Sequence, residues 1–167
     1  AGVRIISSSP LLSGVTFVTN LGSAVGMDLV SDATILGPMF AGNTVNGLAI
    51  DSGNLPTDIT WDDAEIVYWL TGAVVVPAGR TLTIAPGQIL KGAFLGSGLF
   101  IDGVLLAQGT ADRPIVGTSR DDDTAGGDTN NNGPVSIGLE DWAGIEIRAG
   151  STGNVLDHLD LRYVDGF

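Results

Sequence analysis

A chain of 167 residues, 44% of them hydrophobic, can form one ordered domain with a continuous apolar core but is too short for two. Its net charge of −12 repels phosphate backbones and anionic lipid, which excludes nucleic acid as a partner, and no apolar stretch is long enough to insert into a membrane. The lack of Cys removes disulfides and thiolate metal sites, and 25 Gly favour short strands joined by tight turns.

Along the chain one short pattern recurs: Gly, apolar, any residue, apolar. It stands at Gly2-Val3-Arg4-Ile5, Gly26-Met27-Asp28-Leu29, Gly47-Leu48-Ala49-Ile50, Gly72-Ala73-Val74-Val75, Gly98-Leu99-Phe100-Ile101 and Gly144-Ile145-Glu146-Ile147. Counted between the Gly positions 2, 26, 47, 72, 98 and 144, the spacings are 24, 21, 25, 26 and 46. A repeat of this length predicts a solenoid. The expected fold is all-β, a right-handed parallel β-helix of about six coils, and the last spacing marks one long acidic loop insertion at 120–141. A β-sandwich is the rival, but it has no reason to repeat one strand sequence. In each motif the two apolar residues share a face, and the residue between them points outward.

Other apolar runs, such as Gly14–Val18, Ala33–Leu36, Thr81–Ile84, Val104–Leu106 and Asn154–Leu156, supply the remaining sides of each coil. Asn20 and Asn43 follow equivalent strands and are placed either to stack as a ladder or to serve as ordinary turn residues.

The two ends read as halves of one interrupted coil. Joining Phe167 to Ala1 sets Gly2 25 residues beyond Gly144, again one coil. Solenoids need polar caps at their ends, and neither end carries a recognisable one. The opening Ala1, without Met, fits a processed product or a segment of something longer. Residues 1–60 are expected to form coils like the end of one repeat, and 61–167 like the start of the next, all in a single β-helix unit.

The segment from Trp61 to Tyr163 resembles right-handed parallel β-helix repeat domains of large bacterial extracellular and surface proteins, in the pectate-lyase-like superfamily. The stretches that carry the resemblance are Val74–Gly87, Gly103–Thr110, Arg113–Val116 and Asp141–Ile145. It implies the fold and an extracellular or cell-surface location, and says little about activity.

Within the insertion, Asp128, Asn130, Asn132 and Gly133 take positions 1, 3, 5 and 6 of an EF-hand-like loop. Position 12 is Leu139, with Glu140 one residue late. With Asp121 and Asp123, these oxygens make Ca²⁺ the candidate ion, against a plain solvated acidic loop. The only His, His158, sits among acids without a nucleophile that would make it a general base. Arg120 beside Asp121–Asp123 reads as a charge pair at the loop base. Trp61, Tyr68 and Trp69 are candidates for stacking on sugar rings, while Trp142 reads as core packing.

The expected function is structural: an extracellular fibre or stalk made by end-to-end continuation of coils, through tandem repeats or stacked copies of the same chain. Gly2, Val3 and Ile5 would meet Leu159, Leu161, Tyr163 and Phe167 at the junction. Six coils at ~4.8 Å give an axial repeat near ~29 Å. An adhesive domain binding extracellular polysaccharide is the first alternative, and a polysaccharide lyase or hydrolase fragment the second. No catalytic residue is assigned.

Overall fold

The computed structural model describes residues 1–134 and 142–164, and all regular elements among them are β-strands. Runs of Val, Ile, Leu and Thr cut every few residues by Gly, Asn, Pro or Ser keep each strand short. The first coil holds β1 (Val3–Ile5), β2 (Leu11–Ser13) and β3 (Thr16–Val18), and the second β4 (Ser23–Met27), β5 (Thr34–Leu36) and β6 (Met39–Ala41). The third holds β7 (Val45–Ile50), β8 (Gly53–Asn54) and β9 (Ile59–Trp61), and the fourth β10 (Tyr68–Leu70), β11 (Ala73–Val76) and β12 (Thr81–Ile84). The fifth holds β13 (Ile89–Gly92), β14 (Gly98–Ile101) and β15 (Val104–Gln108). In the sixth, β16 (Ile115–Ser119), β17 (Gly144–Ile147) and β18 (Val155–Asp157) precede β19 (Leu159–Leu161), which opens a further layer.

Every strand pairs in parallel with its counterpart one coil away, which makes the chain a parallel β-solenoid. One long sheet runs the whole length in the order β1-β4-β7-β10-β13-β16-β19. Its six intervals agree with the six coils expected. Val3, Val25, Leu48, Tyr68, Leu90, Gly117 and Leu161 are successive partners in it, so the coils measure 22, 23, 20, 22, 27 and 44 residues. The last includes the insertion.

The core follows from alternation. Val25, Leu48, Tyr68 and Leu90 form one buried inward row, and Ile5, Met27, Ile50 and Leu70 a second. Val74 and Leu99 face them from β11 and β14, and Leu82 and Leu105 from β12 and β15.

The register corrects the motif reading. The first three Gly motifs lie on the long sheet, where Arg4 pairs with Gly26 and Gly26 with Ala49. The last three lie on a different sheet, where Gly98 aligns with Gly144 but Ala73, not Gly72, aligns with Gly98. The motif falls at different points along strands of two sheets, inside β4 and β7 but at the start of β14 and β17, and does not mark one face of the coil.

The 25-residue closure fails for the same reason, since Gly144 and Gly2 lie on different sheets. With Phe167 joined directly to Ala1, Val3 would follow Leu161 by nine positions, six to Phe167 and three more. The shortest coil measured, Leu48 to Tyr68, takes 20. A direct peptide bond therefore does not continue the long sheet. A stacked copy, or a chain with further residues between, can do so.

A second discontinuity lies inside the molecule. β2–β5 and β3–β6 are two-stranded sheets confined to the first two coils. The sheets β8-β11-β14-β17 and β9-β12-β15-β18 begin only at the third. At this change of pattern side chains stand in for a strand: the Asp63 carboxylate accepts from Ile35 N at 2.8 Å and Glu65 from Gly37 N at 2.5 Å. Beside it the Asn ladder forms. Asn43 Oδ1 accepts from both Asn20 N (3.0 Å) and Asn20 Nδ2 (2.7 Å), while Asn43 Nδ2 donates to Asn46 Oδ1 and to Phe17 O, each at 2.9 Å. Asn43 is fully buried, so these bonds satisfy groups that water cannot reach.

Candidate functional site

The outward row of the long sheet runs Arg4, Gly26, Ala49, Trp69, Lys91 and Thr118. Outward residues on a solenoid are ordinarily wet, yet Trp69, Lys91 and Thr118 are buried. The insertion covers this stretch of the sheet. Lys91 Nζ donates to Gly127 O at 2.8 Å, and Asn46 N donates to Thr129 O at 2.7 Å. Gly126, at φ +69°, brings the loop so close that an added Cβ would sit 2.4 Å from a methyl of Val67. No other residue fits there.

The acids of the loop divide into distinct roles. Asp122 is fully buried; it accepts from Thr118 Oγ1 (2.7 Å), Thr124 N (3.1 Å) and Thr124 Oγ1 (2.5 Å), and pairs with Arg162 Nη1 at 3.3 Å. Burial alone would raise its carboxyl, but the Thr hydrogen bonds and Arg162 outweigh it and hold the group below the usual range. Asp121 Oδ1 accepts from Asn130 Nδ2 (2.6 Å) and Asn132 Nδ2 (3.0 Å). Asp128 accepts from Asn132 N and Gly133 N at 3.1 and 2.9 Å, closing a tight turn. Asp123 Oδ1 and Asn130 Oδ1 are buried without a hydrogen-bond partner. Burial lowers the Lys91 ammonium from its usual value, against the opposing pull of Asp123, Asp122, Asp128 and Asp121. Lys91 is thus a cation that the fold itself places under the acidic loop.

The structure brings Asp121, Asp128, Asn130 and Asn132 into one hydrogen-bonded cluster, as their spacing suggests. Among the described residues no group of three or more His, Cys, Asp or Glu gathers where it could hold a metal ion. Leu139 and Glu140, weighed for position 12, lie outside the described residues. Arg120 pairs with Asp121 at 3.4 Å and donates to Ala93 O at 3.1 Å, the charge pair expected at the loop base.

The aromatic reading is overturned. Trp61, Tyr68 and Trp69 are 1%, 1% and 8% exposed, so none offers a ring to a sugar from solution. Trp61 and Tyr68 face inward and pack on each other with centroids 5.4 Å apart. Trp69 faces outward but lies beneath the loop. The Tyr68 hydroxyl donates to Asp63 Oδ2 at 3.3 Å, and burial pushes its phenol well above the usual range, which keeps it a donor. Trp142 is buried as expected and donates from Nε1 to Arg162 O at 2.8 Å. His158 sits at an exposed turn with Nδ1 2.8 Å from Asp157 Oδ1.

At the two ends of the long sheet, among the described residues, β1 pairs only with β4, and β19 only with β16. Ile5 is buried and Val3 half-buried against the core, while Gly2 is exposed and donates to Ser23 O and Ala24 O. Leu159 packs on the core, Tyr163 is half-buried, and Leu161 is 41% exposed beside exposed Val155 and Leu156. Phe167 lies outside the described residues.

The profile of the pectate-lyase-like β-helix domain matches residues 53–138, just over half of the chain. The chain belongs to this family. The match to the pectate-lyase-like β-helix domain opens at Gly53, the first residue of β8, where the sheets of the third coil begin. The first two coils, with their own pair of small sheets, precede it. No curated protein and no solved structure matches.

The sequence offered no route to Lys91, Asp63 or Glu65 as anchoring residues. Their partners lie 36, 28 and 28 positions away. The one available signal was the alternation Ile89-Leu90-Lys91, which turns Lys91 outward one coil before an acidic insertion.

Proposed function

We propose that this β-helix is a structural rod segment of an extracellular or cell-surface stalk or fibre, continued coil on coil beyond its end layers. What supports this reading is the long sheet: its ladder runs through seven strands with one register shift between Ser23 and Val25, and the apolar rows reach both end layers at Ile5 and Leu159. Parallel strand edges are templates for further strands. A copy stacked in register would set Val3 on Leu161 and Ile5 on Tyr163. Seven layers at ~4.8 Å give such a fibre an axial repeat of ~34 Å, rather than the ~29 Å that six coils suggest. Small-angle scattering over a concentration series tests it. Particle length should grow while the cross-section stays constant, and a compact monomer at every concentration would sink the proposal.

We further propose Ca²⁺ as a ligand of the loop. This rests on the EF-hand-like spacing of Asp128, Asn130 and Asn132, on the turn that Asp128 closes, and on the two unpartnered oxygens of Asp123 and Asn130.

A further inference from the structure

The chain contains two Asn-Gly pairs, Asn46-Gly47 and Asn132-Gly133. This dipeptide is chemically labile: the Gly nitrogen can attack the Asn side-chain amide, because Gly leaves the approach unhindered. The outcome depends on whether the backbone can bring the two together, and the two sites differ sharply in that respect.

Asn46 and Gly47 lie within β7. Gly47 is buried, and an added Cβ there would come 2.9 Å from Val67 O. Asn46 is tied at its backbone nitrogen and at both polar side-chain atoms. Its N donates to Thr129 O, its Oδ1 accepts from Asn43 N and Nδ2, and its Nδ2 donates to Asp128 O. Cyclisation there would require the strand to leave the sheet.

Asn132 is exposed in a turn. Asn131 before it and Gly133 after it both have positive φ, +52° and +73°, and nothing lies within 4 Å of where a Gly133 Cβ would be. Gly133 N donates to Asp128 Oδ2 at 2.9 Å. The nitrogen that must lose its proton before attack is therefore already bonded to a carboxylate able to accept it.

We propose that Asn132 is a site of spontaneous deamidation, with Asp128 as the local base. Gly133 N forms a bond to Asn132 Cγ as its proton passes to Asp128. The Cγ–Nδ2 bond breaks, and the nitrogen leaves as ammonia with that proton. Water then opens the five-membered imide at either carbonyl, giving Asp or isoaspartate at 132. No oxidant or cofactor takes part. The product carries one more negative charge and lacks the amide that donates to Asp121 Oδ1, so an amide–carboxylate hydrogen bond is replaced by two facing carboxylates.

The test is to age the native protein at mildly alkaline pH and map its peptides by mass spectrometry, scoring both sites. Protein unfolded in denaturant serves as the reference in which sequence alone decides. In the folded protein Asn132 should convert at least about tenfold faster than Asn46. Asp128→Asn should slow Asn132 alone, and Asn132→Gln should abolish the more acidic species on ion exchange. Comparable rates at the two sites would overturn the proposal. So would an intact Asn132 in folded protein under conditions that fully convert it in the unfolded reference.

Discussion

Asp63 replaces a strand with a side chain, and its substitution separates two effects usually confounded. Its carboxylate accepts from Ile35 N at 2.8 Å and from the Tyr68 hydroxyl at 3.3 Å, while only 7% exposed. Burial, reinforced by Asp62 and Asp32, raises its carboxyl above the usual value despite those bonds. Asp63→Ala leaves the Ile35 N–H without a partner, a loss of about 1–3 kcal/mol. For a chain of this size that lowers Tm by about 2–12 °C. Asp63→Asn keeps the acceptor and removes the buried charge, so at neutral pH it should match or exceed the wild type. The sign of the pH dependence follows from the raised folded-state value. Between the unfolded value of 3.8 and the higher folded one, the native state holds more protons. The contribution of Asp63 is then fully present below the unfolded value and lost as pH rises through the folded one. Thermal melts from pH 4 to 8, taken as wild type minus Asp63→Asn so that other acids cancel, should show that slope. If Asn proves as damaging as Ala, or the difference is flat with pH, the carboxylate is not acting as an imitation strand.

Lys91→Met should release the loop more than it unfolds the coil. Amide exchange over 126–129 should quicken by at least about tenfold, with the strands of the third to fifth coils little changed. Addition of Ca²⁺ should raise the melting midpoint and a chelator should reverse it; an unmoved midpoint refutes the calcium proposal.

The fold was legible because a solenoid repeats its own physics: each coil needs the same short strands, turn residues and inward apolar pairs. The period near 22 residues survives even a misplaced register. Spacing between glycines could not reveal register, since Gly26 lies near the end of β4 on the long sheet while Gly98 opens β14 on another. Burial of the aromatic residues escaped for a related reason. Trp69 occupies an outward strand position, and only the folded loop, distant in sequence, covers it. The loop cluster was legible because Asp128, Asn130 and Asn132 are neighbours in sequence, whereas Lys91 finds Gly127 and Asp122 finds Arg162 36 and 40 positions away.

The junction between the second and third coils also has a mechanical meaning. There the tube changes gauge: one pair of side sheets ends and another begins, and the long sheet, the apolar core, two carboxylate caps, the Asn ladder and the Arg4–Asp51 ion pair cross it. Elsewhere, between the third and sixth coils, three sheets share an axial pull. A rod stretched end to end would therefore part first at this joint, yielding two coils as a unit while the remaining tube stays wound.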